Sequence, residues 1–184
     1  MRTASPIRVR LLTQSDIPFA DSLRALAGWN QTLEDWSRFL ELDPASCFVG
    51  EWEGVPAGTA VVTSYGKQLA WIGMVLVHPD FRRRGIGRLL MEHCLAHLRA
   101  RGVRCVKLDA SPLGKPLYEN LGFREEWGLN CWVQTDPKPA SMSVTQAREC
   151  RESDLDQIIS LDAKVFGAGR GDLLRLLFQQ SAVR

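Results

Sequence analysis

Apolar and polar positions along this chain switch repeatedly between a two-residue and a helical period. Ile7–Leu12 alternates as a first strand. Ser15-Asp16 then offers an N-cap, Pro18 is tolerated in a first turn, and Ile17, Leu23 and Leu26 share one helix face. Gly28-Trp29-Asn30-Gln31 breaks that helix. Thr32-x-x-Asp35 has capping-box spacing for a second, with Leu33, Trp36, Phe39 and Leu40 as its buried stripe. Cys47–Glu53 and Ala57–Ser64 read as strands joined by a turn at Gly54, and residues 68–77 as the next strand. A helix from Gly87 to Arg101 buries Leu90, Cys94 and Leu98 and stops at Gly102. Val103–Asp109 is strand-like, a short helix around Lys115–Leu121 ends at Gly122, and short strands follow near Phe123–Glu126 and Asn130–Thr135. The alternation predicts an α/β fold built on an α+β mixed sheet.

Composition narrows the class. The 184 residues hold one full domain and a fragment, and 45% apolar content supports a real core. A net charge of +2 argues against a nucleic-acid partner, which calls for a clustered basic patch. The longest apolar run, near Ala70–Val77, is too short for a bilayer, and MRTASPIRVR lacks a signal peptide's apolar core, so no membrane partner is expected. Cys47, Cys94, Cys105, Cys131 and Cys150 show neither C-x-x-C pairs nor zinc spacing. They read as reduced thiols of a cytoplasmic protein, with no metal.

The chemistry concentrates in Val75–Leu90, VLVHPDFRRRGIGRLL. A strand runs into a basic loop, then Gly85-Ile86-Gly87, then at once a helix. Glycines let backbone N–H groups converge without side chains in the way, and a helix N-terminus adds free donors and positive potential. This describes a site for an anionic group such as a pyrophosphate. A dinucleotide fingerprint fits poorly. Leu90 stands where its third Gly or Ala belongs, and His78–Arg84 separate strand from glycines, although Asp109 lies about where a ribose-binding acid would fall. No G-x-x-x-x-G-K-[ST] occurs.

Arg82-x-x-Gly85-x-Gly87, preceded by His78-Pro79-Asp80-Phe81, matches the [Q/R]-x-x-G-x-[G/A] signature of the GNAT N-acetyltransferase superfamily. Downstream, Pro116-Leu117-Tyr118-Glu119-Asn120-Leu121-Gly122-Phe123 is similar to that family's second motif. The resemblance covers roughly residues 7–133 and implies an acetyl-CoA-dependent N-acyltransferase. Acetyl-CoA would be co-substrate and a primary amine, on a small molecule or a protein, the acceptor. The resemblance also implies a bulged strand splayed from its neighbour, with backbone groups of Val75, Leu76 and Val77 open to the pantetheine arm. The pyrophosphate would rest on N–H groups of the loop formed by Arg82, Arg83, Arg84, Gly85, Ile86, Gly87 and Arg88. Tyr118 stands where the family's general acid stands, and also reads as a core tyrosine. Many members carry an Asn where this chain has Ser111, which puts a coenzyme contact there in doubt. A homodimer stays open.

The reaction makes its own demands. An amine of pKa near 10 is free in only about one molecule in a thousand at pH 7. The tetrahedral oxyanion needs an N–H donor, worth about 3 kcal/mol of barrier, for which a group near Val77 is the candidate. The leaving thiolate needs a proton from a weak acid. Asp109 is the first candidate base, although it reads first of all as a cap or salt-bridge residue; Glu51 is the second, and His78 reads as structural. Trp29 either stacks on an acceptor or seals the core. The competing function is a non-catalytic acyl-CoA-binding sensor or interaction module.

Residues 1–135 read as the acetyltransferase domain and 136–143 as a linker. Residues 144–184 read as a partial second GNAT-like repeat of one strand and two helices. Arg148 to Leu155 aligns with Arg10 to Ile17 through an arginine and a Ser-Asp-aliphatic step, a pattern that generic helix capping also produces. This copy has neither a glycine loop nor the second motif. Its last helix, Asp172–Gln180, is rich in leucine and needs cover, from the first domain or from another chain.

Overall fold

A computed structural model of the chain describes residues 5–130, 132 and 148–181. The elements run β1 (Ile7–Leu11), α1 (Ile17–Leu26), α2 (Leu33–Leu42), β2 (Cys47–Trp52), β3 (Val55–Tyr65), β4 (Leu69–Val77), α3 (Ile86–Ala100), β5 (Cys105–Lys107), α4 (Lys115–Asn120), α5 (Leu155–Phe166) and α6 (Gly171–Ser181). The sheet order is β1-β2-β3-β4-β5. The first four strands are antiparallel, and β5 joins parallel to β4 through the α3 crossover.

Each sheet face buries its own layer. Phe48, Ala60, Val62, Ala70 and Ile72 meet Ile86, Leu90, Met91, Cys94 and Leu98 of α3. Val49, Val61, Met74 and Leu76 meet Ala20 and Leu23 of α1 and Trp36 and Leu40 of α2. Strand β4 contributes to both layers because it changes face midway. Its partners advance from Gly73 opposite Val61 to Leu76 opposite Thr59, so β4 holds one extra residue there. Met74 at that point has φ +52°, and its carbonyl accepts from the buried Thr59 hydroxyl at 2.8 Å. The bulge therefore reverses which side chains point toward α3.

The Thr32–Asp35 capping box forms as expected, and Glu53 (φ +50°) and Gly54 (φ +82°) make the β2–β3 turn. Leu33 departs from expectation: it is exposed, because only Trp36, Phe39 and Leu40 of that stripe reach the core. The strand expected over Val103–Asp109 shrinks to Cys105–Lys107, since β4 turns away at its bulge and offers no partner beyond Trp71. Phe123–Glu126 forms no strand. Its charges are tied elsewhere, Glu125 to Lys115 and Glu126 to Lys107, and the run Arg124-Glu125-Glu126 offers no apolar face. The strand expected over Asn130–Thr135 falls largely outside the described residues; Asn130 and Trp132 are not in a strand. The expected linker and residues 144–147 of the expected repeat also lie outside them, and 148–150 is not strand.

The C-terminal helices dock on the domain. The Phe166 ring meets Tyr65 edge-on at 5.2 Å, and Arg38 Nε of α2 donates to Gln180 Oε1 of α6 at 2.7 Å. No helix among the described residues is long and apolar enough to cross a membrane.

Candidate active site

The site begins where β4 and β5 part. Their pairing ends at Trp71 opposite Lys107, while β4 continues to Val77. His78 N–H donates to Ala57 O at 2.9 Å across the Gly58–Val77 pair. That makes Gly58–Val77 a non-hydrogen-bonded pair, so the N–H and C=O of Val77 point away from β3, toward the gap. Strand alternation gives Val75 the same orientation. Leu76, opposite Thr59, turns its backbone groups to β3, so the open edge is presented by Val75 and Val77 rather than by three successive residues.

The loop beyond is ordered by its own contacts. The imidazole of His78 accepts from Asp80 N–H at 3.4 Å, a capping role that matches its structural reading. Arg82 Nε donates back to Val77 O at 3.2 Å. Arg84 lies over the Trp52 ring at 4.9 Å and the Phe81 ring at 5.5 Å. Arg88 pairs with Glu92 at 3.4 Å. Most of these arginines are thus partnered within the protein, so the open donors of the loop are chiefly backbone groups.

From Arg83 through Arg88 no backbone N–H has an acceptor among the described residues; the first helical bond is Leu89 N–H to Gly85 O at 3.0 Å. Left-handed φ values at Arg83 (+60°) and Gly85 (+89°) curl this run into a concave nest. The α3 N-terminus is set low on the sheet by two glycines. A Cβ at Gly58 would stand 2.7 Å from Leu76 O, and one at Gly50 2.9 Å from Ile86 Cγ2. Gly87 is different. A Cβ there would meet only Leu117 Cδ2 and Val77 Cγ2, each at 3.6 Å, an ordinary contact. No contact among the described residues requires that glycine, whereas a ligand lying on the nest would.

Those neighbours show that β4, α3 and α4 converge at one point. Tyr118, next to Leu117, is buried, with its ring edge-on to Phe123 at 6.2 Å. Burial pushes its phenol above the usual value. The sequence-expected bases fare differently. Asp109 lies two residues past β5, exposed and without an ion-pair partner among the described residues. Glu51 accepts from Arg10 Nε at 2.6 Å and belongs to a structural ion cluster with Asp16. Ser111 accepts from Gly114 N–H at 3.3 Å and starts the turn into α4. Trp29 packs against the α1–α2 core, with its carbonyl accepting from Arg24. Sequence reasoning missed Thr59, whose hydroxyl holds the bulge; its only signal is a polar residue in the apolar middle of β3, between Ala57 and Val62.

A splayed mixed sheet with a backbone nest at a helix N-terminus and a buried tyrosine on the short helix that meets it defines a protein of the acyl-CoA N-acyltransferase fold. The chain belongs to the Acetyltransferase (GNAT) family, which matches it over residues 15–123. It is 26% identical over 152 residues to holothin acyltransferase of Pseudoalteromonas sp. (strain SANK 73390), covering 80% of this chain and 49% of that protein. The chain thus spans about half the length of that relative. In fold it is similar to a putative acetyltransferase from Pyrococcus horikoshii, with TM-score 0.68 and 22% identity over 91% of this chain and 60% of that one. It is also similar to an aminoglycoside N-acetyltransferase solved in complex with CoA, with TM-score 0.58 and 19% identity over 74% of this chain and 99% of that one.

Proposed function

We propose that this protein transfers the acetyl group of acetyl-CoA to a primary amine by direct attack. The observation that carries the reading is the run of N–H groups from Arg83 to Arg88 without acceptors among the described residues, beside a glycine that no packing contact among them requires. The diphosphate of acetyl-CoA lies on that nest, and the pantetheine arm follows the open edge of β4 at Val75 and Val77. The neutral amine attacks the thioester carbonyl. The oxyanion is stabilised by a β4 N–H, with Val77 the best oriented. As the C–S bond breaks, Tyr118 gives its phenolic proton to the thiolate. Its raised pKa keeps it protonated until that moment. The ammonium proton leaves to water or to Asp109, the expected base that no other residue among the described ones occupies. Residues 1–135 form the transferase domain, and the segment from 144 begins a second copy.

The relatives bear on the acceptor only by class: one is named as an acyltransferase of holothin and another as an aminoglycoside N-acetyltransferase. The engagement of Glu51 by Arg10 leaves the site poor in bases, which favours the acyl-CoA-sensor reading as the second one. Calorimetric titration with acetyl-CoA, with NAD as control, tests the donor site. Micromolar acetyl-CoA binding without NAD binding is expected, and no binding by folded protein overturns it. Release of CoA thiol in the presence of a panel of amines then separates an enzyme from a sensor.

A further inference from the structure

The junction at Arg148–Asp154 rebuilds the one at Arg10–Asp16, apart from the Thr13 hydroxyl, which adds a bond to Asp16 Oδ2 at 2.8 Å in the first. In the first, Arg10 Nη1 donates to Leu11 O at 3.0 Å and Asp16 Oδ2 at 2.8 Å, and Nη2 to Asp16 Oδ1 at 2.8 Å. In the second, Arg148 Nη1 donates to Glu149 O at 3.0 Å and Asp154 Oδ2 at 2.7 Å, and Nη2 to Asp154 Oδ1 at 2.8 Å. Each aspartate also accepts the N–H three residues before it, Thr13 at 2.9 Å and Arg151 at 2.8 Å. Generic capping explains the aspartate and its N–H, but not an arginine six residues upstream gripping it through the same two atoms.

One prong differs. Arg10 Nε reaches Glu51 of β2, whereas Arg148 Nε has no acceptor among the described residues. The helices that follow differ in the matching way. Counted from their aspartates, Ala20, Leu23 and Ala27 at α1 correspond to Ile158, Leu161 and Val165 on α5. The α1 set is packed in the layer against β3 and β4. On α5 the same positions are 40%, 64% and 81% exposed. They are not what holds the tail to the domain, since docking uses Phe166 and α6.

We propose that the stripe Ile158, Leu161 and Val165 is the seam for the apolar face of a β-sheet bearing a carboxylate opposite Arg148 Nε. That sheet belongs to a second copy of this fold and lies on α5 as β3 and β4 lie on α1. The proposal rests on reading the tail as a second copy. The sheet of another molecule of this chain cannot serve, because α1 and α2 already cover the equivalent face.

The test labels a thiol placed by Leu161→Cys in the full chain, with Cys105, Cys131 and Cys150 changed to Ser. Cys47 and Cys94 are buried, their thiols pushed up to about 12, and stay silent. The probe is the protein's own sheet, residues 43–123 with the cysteines of that added segment changed to Ala, appended after Arg184. A parallel chain carries Ile158→Ala to reproduce the Ala20 contact. Maleimide labelling is expected to be fast in the unextended chain, at least about tenfold slower in an extended one, and fast again with Val165→Lys. Fast labelling in both extended chains overturns the proposal. So does concentration-dependent protection of the unextended chain, which would make a second molecule the cover. The underlying repeat is tested separately: Asp154→Asn should speed amide exchange in the first turn of α5, as Asp16→Asn should in α1. Unchanged exchange in α5 overturns the repeat.

Discussion

Arg10 grips Asp16 with both terminal guanidinium nitrogens at 2.8 Å, and so fixes the end of β1 to the start of α1. The arginine holds the Asp16 carboxyl at about 2, below its ordinary value of 3.8, with the Thr13 N–H and hydroxyl adding to the effect. A lowered carboxylate stabilises the fold above its unfolded pKa, and that stability is lost as pH falls through 3.8 toward 2. The side chain is 9% exposed, so little of the effect is screened, and the shift corresponds to about 2 kcal/mol. Asp16→Asn should therefore lower stability at pH 7 by about that amount and flatten the acid limb of a urea-midpoint series run from pH 7 to pH 3. An unchanged midpoint at pH 7 would show that the pair contributes nothing net.

At Gly87 stability and function should separate. The site is helical, and a Cβ there meets only ordinary contacts at 3.6 Å. Gly87→Ala should then leave stability unchanged or raise it by up to about 1 kcal/mol through helix propensity. If the diphosphate rests on the nest as proposed, the same methyl group stands in its way, so acetyl-CoA affinity should fall about tenfold or more, and further with Gly87→Glu. Thermal melts and titrations on the same samples check both halves. A variant that loses stability and keeps affinity would make the glycine a packing residue.

The glycine turn and the start of α3 were legible in the sequence because their signals are local. Gly85, Gly87 and the apolar periodicity of α3 fix a turn and a helix start without reference to the rest of the chain. The bulge was legible only through resemblance. Met74 is an unremarkable strand residue, and its φ of +52° follows from Thr59, fifteen positions earlier, holding its carbonyl. Glu51 reads as a candidate base from its strand, yet its partner Arg10 lies on a neighbouring strand, and no spacing rule pairs them. Strand Phe123–Glu126 failed for the same reason: its glutamates answer lysines elsewhere in the chain. What sequence could not reach was in each case a long-range polar contact.

His97 should make the fold sensitive to mild acid. Its Nε2 lies 2.9 Å from the hydroxyl of fully buried Ser46, and Arg101 also bonds that hydroxyl. Burial, then the Arg101 charge, lowers the imidazole pKa below 6.5. A histidine lowered in the fold takes up its proton more readily when unfolded, so stability is full above pH 6.5 and declines as pH falls below it. His97→Gln, which can still reach Ser46, should shrink the drop in melting temperature between pH 7.5 and pH 5.5. An equal drop in the variant would assign the sensitivity to other groups.

Tyr118→Phe addresses the chemistry directly. The ring is buried and packs edge-on against Phe123, and the hydroxyl has no acceptor among the described residues. Its removal leaves no buried group unpaired and should change stability by less than about 1 kcal/mol. If the phenol protonates the departing thiolate, kcat should fall about 100-fold or more, with acetyl-CoA affinity nearly unchanged. The wild-type rate should also decline at high pH as the phenol ionises, and the variant should lose that limb. A core tyrosine without a catalytic role would leave kcat and both pH limbs in place. The pH profile is therefore the decisive readout, because a rate loss alone could come from a shifted ring.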